Sequence, residues 1–324
     1  MPAPGAGSAG RAGAGKTTGK GGAMGESGSV REALESAAEF FAPRATRAAV
    51  LARRLVGRSR AEDANLTEHL VRELRRRSRI DGSIGGSLVA TAWAAWELMD
   101  LGCETECAGL VRMIGYVLAQ QDRPGHFGEG CTPDRHEARE CHHFVTGFLS
   151  AGGQDFELAP LSLPTGATFE REDEARLAAS CFALRSVLRA GEDRREAVRS
   201  HLSALLASPL AADPWATDRN PDLFLLMLGA AGQGPIETRA ELGPMLDTVV
   251  GAQQRDGTWT GTSTFHALGM LARLPDERVQ HVATRAAPHL CAIQRPSGAF
   301  DPTDNEEWAL IATRTLVLAA GTPG

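Results

Sequence analysis

The chain has 324 residues, 43% of them hydrophobic and 5% aromatic, with a formal net charge of -6. That length and apolar content suffice for a sizeable core, while the acidic balance supplies no basic field to recruit nucleic acid. No apolar run reaches the roughly 18 to 20 residues that span a bilayer, and six cysteines are too sparse for a disulfide framework in a chain of this size.

Residues 1–29 are rich in Gly, Ala and Pro and lack the apolar stretch of a secretory signal, so they read as a disordered tail ahead of one domain over 30–324, in a reducing, cytoplasmic setting. Within that tail, Gly10 to Thr17 satisfies the Walker A pattern letter by letter. A working phosphate loop needs a buried strand before it and a helix after it, and the flanking Gly, Ala and Pro supply neither, so the match is expected to be fortuitous.

Leading helices are expected over 30–41 and from Pro43 to about Gly57, with Pro43 suiting a first turn. Asn65 is expected to cap a third helix, 66–77, in which Leu66, Leu70, Val71 and Leu74 share one face. The stretch Leu88 to Met99 is apolar on nearly every side, as a helix buried all round requires. Its partner over 104–121 is amphipathic, and the alternation continues downstream. Apolar inner helices are expected near 140–151, 173–190, 221–231, 262–274 and 306–320. Amphipathic outer helices are expected near 194–207, 237–254 and 277–294, and a loop replaces one over 152–168.

Outer patterns give way to inner ones through Gln-x3-Gly-x-aromatic, sharp at Gln121 to Phe127, Gln253 to Trp259 and Gln294 to Phe300, with Ser78 in place of the Gln before Gly82 and degenerate copies at Gly166 and Trp215. The glycines Gly82, Gly125, Gly166, Gly257 and Gly298 are spaced by 43, 41, 91 and 41 positions, and the 91 divides into 47 and 44 at Asp213. Six repeats therefore occupy 81–324, after leading helices over 30–80. Parallel inner helices cannot leave their apolar faces in water. Closure into an all-α (α/α)6 barrel meets that requirement more naturally here than an open superhelix, which needs polar caps at both ends.

This repeat resembles that of squalene and terpene cyclases and of protein prenyltransferase beta subunits, from Gly82 to Gly321. The resemblance implies an α/α toroid holding an isoprenoid or similar lipophilic ligand in a central cavity, with functional residues at the inner-helix N-termini and room for a partner subunit. It also implies a zinc-ligand role for His143, in Glu140 to Phe144, although the family's Asp-x-Cys ligand pair is missing from Gly86 to Val89. The Asp-x-Asp-Asp acid of the cyclases is missing as well. A non-catalytic repeat module binding a lipid or a protein partner is the alternative.

Read from the residues alone, Cys131 to His143 is the densest polar constellation, and Cys141, His142 and His143 offer zinc-type ligands. A polar loop with helix-capping groups and a packed cysteine fits the same residues. The segment Asp301 to Trp308 holds Asp304 and Glu307 at an inner-helix start, where Thr303 with Glu306, or Asp304 with Glu307, can also serve as caps. His266 opens another inner helix, either as a functional group or as a satisfied core histidine. Inner-helix N-termini gather at one end of a barrel. His142, His143, His266, Asp304 and Glu307 are thus expected around one mouth, with His143, His266, Asp304 and Glu307 as the catalytic candidates. Diphosphate recognition would need several basic groups converging at one rim; Arg171, Arg176, Arg219 and Arg314 lie near or on inner helices, an unremarkable number among 34 lysines and arginines.

Overall fold

A computed structural model describes residues 29–104, 106–128 and 157–321, and within them helix formation follows local capping chemistry closely. The first helix, α1 (Val30–Phe41), opens with a capping box in which Ser29 and Glu32 satisfy each other's backbone N–H. Ser29, assigned above to the tail, therefore belongs to the folded part. Helix α2 (Arg47–Leu55) starts at Thr46, whose hydroxyl accepts from the Ala49 N–H, and not at Pro43. Helix α3 (Asp63–Arg77) also departs from expectation, with Asn65 inside it. Its start is set by Asp63, whose carboxylate accepts the Arg60 N–H at 3.0 Å and pairs with Arg53.

The following helices are α4 (Leu88–Asp100), α5 (Ala108–Ala119), α6 (Glu172–Arg189), α7 (Glu196–Leu206) and α8 (Pro221–Ala231). The expected outer helix over 237–254 is two helices, α9 (Ile236–Ala240) and α10 (Gly243–Ala252). Pro244 lies at the start of α10, where its missing N–H costs no helical hydrogen bond. The chain continues with α11 (Thr264–Leu271), α12 (Glu277–Ile293) and α13 (Glu306–Ala319). The cap of α13 is Asn305, which accepts from the N–H groups of Glu307 and Trp308, while the Thr303 hydroxyl is turned to Asp301. Among the described residues the only sheet is a two-stranded hairpin, β1 (Leu161–Ser162) with β2 (Thr168–Phe169), inside the expected loop. No helix among them is long and apolar enough to cross a membrane.

In two of its copies the repeated motif reaches a neighbouring outer helix, while the Gln121 side chain donates to the Leu118 carbonyl of α5, the helix just before it. Gln253 donates to the Val282 carbonyl of α12 at 3.1 Å, and Gln294 donates to the Ala33 carbonyl of α1 at 3.0 Å. The motif glycine lies flat against the same outer helix: a Cβ on Gly257 would fall 2.3 Å from the Arg285 carbonyl oxygen, and one on Gly298 would fall 2.2 Å from that of Ser36. Both have positive φ (87° and 84°), so close approach and backbone conformation each require glycine. The aromatic is buried in every sharp copy, as Phe127, Trp259 and Phe300.

The inner helices pack in a cycle. Helix α4 packs on α6, α6 on α8, α8 on α11, α11 on α13, α13 on α2 and α2 on α4. Helix α2, expected only as a leading helix, thus takes a place among the inner ones. Helix α1 packs on α12 and α13 as an outer helix does. The predicted inner helix near 140–151 lies outside the described residues.

Candidate functional site: a buried arginine cluster

Asp100, the last residue of α4, is buried, with a side chain only 1% exposed, and it holds three arginines from three other parts of the chain. Its Oδ2 accepts from Arg47 Nη1 of α2 at 2.5 Å. Its Oδ1 accepts from Arg189 Nη2 of α6 at 2.8 Å and from Arg273 Nη2, just past α11, at 2.5 Å. Arg47 also pairs with Glu97 at 3.3 Å and with Glu307. Trp96 provides a face for three guanidinium groups, those of Arg185, Arg189 and Arg273, at 4.0, 4.1 and 5.2 Å from its ring centroid. Stacked guanidinium on indole replaces part of the lost hydration of a buried cation.

Helix ends explain why cations collect here. Arg189 closes α6 and Arg273 follows α11, so both lie where unpaired carbonyls give a helix its partial negative charge. Arg185, one turn earlier, donates to the Gly269 carbonyl at 3.3 Å.

The charges do not balance. Among the described residues the carboxylates acting most strongly on Arg47, Arg185, Arg189, Arg273 and Arg314 are Glu97, Asp100 and Glu307. Burial opposes ionisation of Asp100, but Arg273, Arg189 and Arg47 outweigh it and hold the carboxyl down at about 2. Burial first, and Arg273 and Arg189 second, pull Arg185 down to about 9. Burial with Arg273 pulls Arg314 down to about 10. Arginine stays protonated in proteins, so these shifts record chiefly the cost of burying two cations, with repulsion between the arginines added to it. Arg314 makes no direct hydrogen bond or ion pair among the described residues, and Arg185 Nε is buried without a partner.

Beside the cluster lies a cavity of about 210 Å³. Arg54, Arg189, Arg273 and Arg314 line it together with Asp100, Leu51 and Leu55. A second, larger cavity of about 750 Å³ is a groove with an apolar wall of Val30 and Leu34 of α1, Val56 after α2 and Val317 of α13, and Arg31, Glu35 and Arg58 line it as well. Arg54 and Leu55 line both. Arg54 is exposed, so the arginine cavity reaches the surface beside the groove.

The sequence-derived candidates fall elsewhere. His266 is fully buried, with Nδ1 2.8 Å from the Thr165 hydroxyl and Nε2 3.2 Å from the Asp222 carbonyl. Both ring nitrogens are occupied, as in a satisfied core histidine. Asp304 is exposed and lies 3.6 Å from Arg44, in a left-handed backbone conformation (φ 53°). Glu307 is committed to Arg47. The helix starts that carry these residues are adjacent, since Phe265 stacks on Trp308 at 4.8 Å. That end is covered, however, by the turn of the β-hairpin: Thr165 is buried against His266, and Gly166 lies against the Trp308 ring. None of His266, Asp304 and Glu307 lines either cavity. Cys141, His142 and His143, with the rest of Cys131 to His143, lie outside the described residues. Among the described residues no group of three His, Cys, Asp or Glu side chains is placed to hold a metal ion.

Of the four basic residues singled out by position, only Arg314 joins the cluster. Arg171 is exposed and pairs with Asp173, Arg176 pairs with Glu172 of its own helix, and Arg219 is half-buried and donates to the Pro209 carbonyl. Arg47, Asp100, Arg185, Arg189 and Arg273 were missed. The available signal was a charge inside or at the end of an otherwise apolar inner helix, clearest at Arg185, which follows Phe182, Ala183 and Leu184. Compared with known proteins, the chain matches no family model, no curated protein and no solved structure.

Proposed function

We propose that the chain is an α/α toroid of about six repeats, of the terpene cyclase and prenyltransferase beta-subunit type, that binds an isoprenoid or similarly lipophilic molecule. The cyclic packing of α2, α4, α6, α8, α11 and α13 supports the architecture, as does the docking of the Gln294 motif on α1. The observation that carries the ligand reading is the groove of about 750 Å³ with its apolar wall of Val30, Leu34, Leu55, Val56 and Val317. A cavity of that size is typical of a small-molecule site, and each buried methylene of a hydrocarbon chain gains about 0.8 kcal/mol there.

The position differs from the central cavity that the family resemblance implies. Around Trp96 the interior is filled by guanidinium groups, and a hydrocarbon chain gains nothing by displacing charged groups from their partners. The lipophilic ligand therefore lies at the α1, α2 and α13 edge. Any prenyl-transfer or cyclisation chemistry would draw on Cys131 to His143, with zinc as the metal suited to its thiol and imidazole groups.

Binding of a fluorescent prenyl analogue to the full chain tests the reading. Leu34→Trp and Val317→Trp, which fill the groove, should abolish binding while leaving the helical circular dichroism unchanged. Unchanged binding by both folded variants would remove the groove from consideration.

A further inference from the structure

We infer that the cavity bounded by Arg54, Arg189, Arg273 and Arg314 is a binding site for a phosphate-class oxyanion. This site lies where α4 and α6 end, away from the inner-helix starts at which the family resemblance places functional residues. It stands on its own observations, whether or not a lipophilic chain occupies the neighbouring groove.

Three features carry it. Four guanidinium groups line a space of about 210 Å³ that holds a single carboxylate, Asp100. That carboxylate is saturated, since its two oxygens already serve Arg47, Arg189 and Arg273. Each guanidinium has five N–H donors in a planar fork, so most of the donors facing the cavity are left for another acceptor. Arg314, on α13, makes no direct hydrogen bond or ion pair among the described residues and lines the same space. Repulsion from Arg273 adds to burial in lowering both Arg185 and Arg314, as it does where cations outnumber carboxylates.

The choice of anion follows from the charge and the shape. Five clustered arginines against three carboxylates leave an excess that a doubly charged group neutralises better than a monocarboxylate. Forks converging from α2, α6, the residue after α11, and α13 suit a tetrahedral array of oxygens better than a planar one. The source is either free phosphate or diphosphate, or the head of a phosphorylated lipophile whose chain leaves past Arg54 and Leu55 into the groove.

Calorimetric titration of the full chain with inorganic phosphate, inorganic diphosphate, a prenyl diphosphate and the matching prenyl alcohol tests the site and its source. Phosphate or diphosphate should bind to the wild type, and Arg314→Gln should weaken that binding by about tenfold or more, the loss of a charge-assisted fork. Arg54→Gln, a change at an exposed position on the cavity edge, should weaken it as well while leaving the helical circular dichroism unchanged. Arg171→Gln, which removes an exposed arginine paired elsewhere, should leave it unchanged. Absence of binding at millimolar anion, or equal affinity in Arg54→Gln and Arg171→Gln, would overturn the site. If diphosphate binds and the prenyl chain adds nothing, the oxyanion site stands and the lipophilic reading of the groove falls. If the prenyl alcohol binds and neither inorganic anion does, the groove stands and the oxyanion site falls.

Discussion

Gln294, in the last repeated motif, donates from Nε2 to the carbonyl oxygen of Ala33 in the first helix, 3.0 Å away across 261 positions of chain. The same side chain at Gln253 reaches the next outer helix in sequence, at Val282. Among the described residues the last motif is followed by the inner helix α13 alone, and α1 occupies the outer position beside it.

Gly298→Ala tests this junction. The added Cβ would meet the Ser36 carbonyl oxygen at 2.2 Å in a backbone conformation that alanine disfavours. Destabilisation of more than about 1 kcal/mol is expected in chemical denaturation, together with loss of amide protection in α1. An unchanged midpoint would show that α1 is not held by the last motif.

Trp259 is 4% exposed, and its indole N–H donates to the Val249 carbonyl at 2.9 Å. Trp259→Ala should therefore cost about 3 to 5 kcal/mol, the usual range for emptying a large aromatic site. Trp259→Phe keeps most of the volume but orphans the Val249 acceptor, and should cost about 1 to 2 kcal/mol. Equal effects of the two would contradict a packed aromatic.

Asp100→Asn leaves Arg47, Arg189 and Arg273 without their shared carboxylate. Breaking a buried ion pair from one side costs about 3 to 5 kcal/mol, and a loss below about 1 kcal/mol would show that the cluster is solvated.

The same carboxylate predicts an acid limb. Its pKa in the folded chain is depressed from 3.8 to about 2, so the unfolded chain binds the proton more readily. The stabilisation, about 2 kcal/mol, is complete above pH 4 and is lost as the pH falls through 2. Stability of the wild type should fall across that window, and Asp100→Asn should remove this component. Identical slopes for the two proteins would contradict the assignment.

His266 should titrate below the ordinary histidine range, because burial disfavours its cation and outweighs the help from Asp222. Its ring resonances should shift to their cationic positions at lower pH than those of a solvated imidazole. A titration midpoint near 6.5 would place the imidazole in water and reopen it as an acid or base.

Most helices were legible because the signals for them are local. The apolar run Leu223 to Gly229, opened by Pro221, predicts 221–231, and α8 has those bounds. Errors arose where two residues compete to start a helix, and a contact distant in sequence decides between them. Asp63 prevails over Asn65 because Arg53 holds it, and Asn305 prevails over Thr303 because Asp301 takes the threonine hydroxyl. The candidate site was less legible. Position at a helix start suggested that His266 and Glu307 share an opening, but it could not show that Thr165 would cover one or that Arg47 would claim the other.

By itself the sequence determined the period, the glycine turns and the two kinds of helix, since each depends on residues within a few positions of one another. Only the tertiary structure decided that α2 packs between α4 and α13, that α1 receives the last motif, and that the charges converge on Asp100. Arg47, Arg189 and Arg273 reach that carboxylate from 53, 89 and 173 positions away. An arginine on an apolar helix reads the same in sequence whether it meets water, a partner or an excess of its own charge, because the free energy of burying it is set by groups that only the fold brings near.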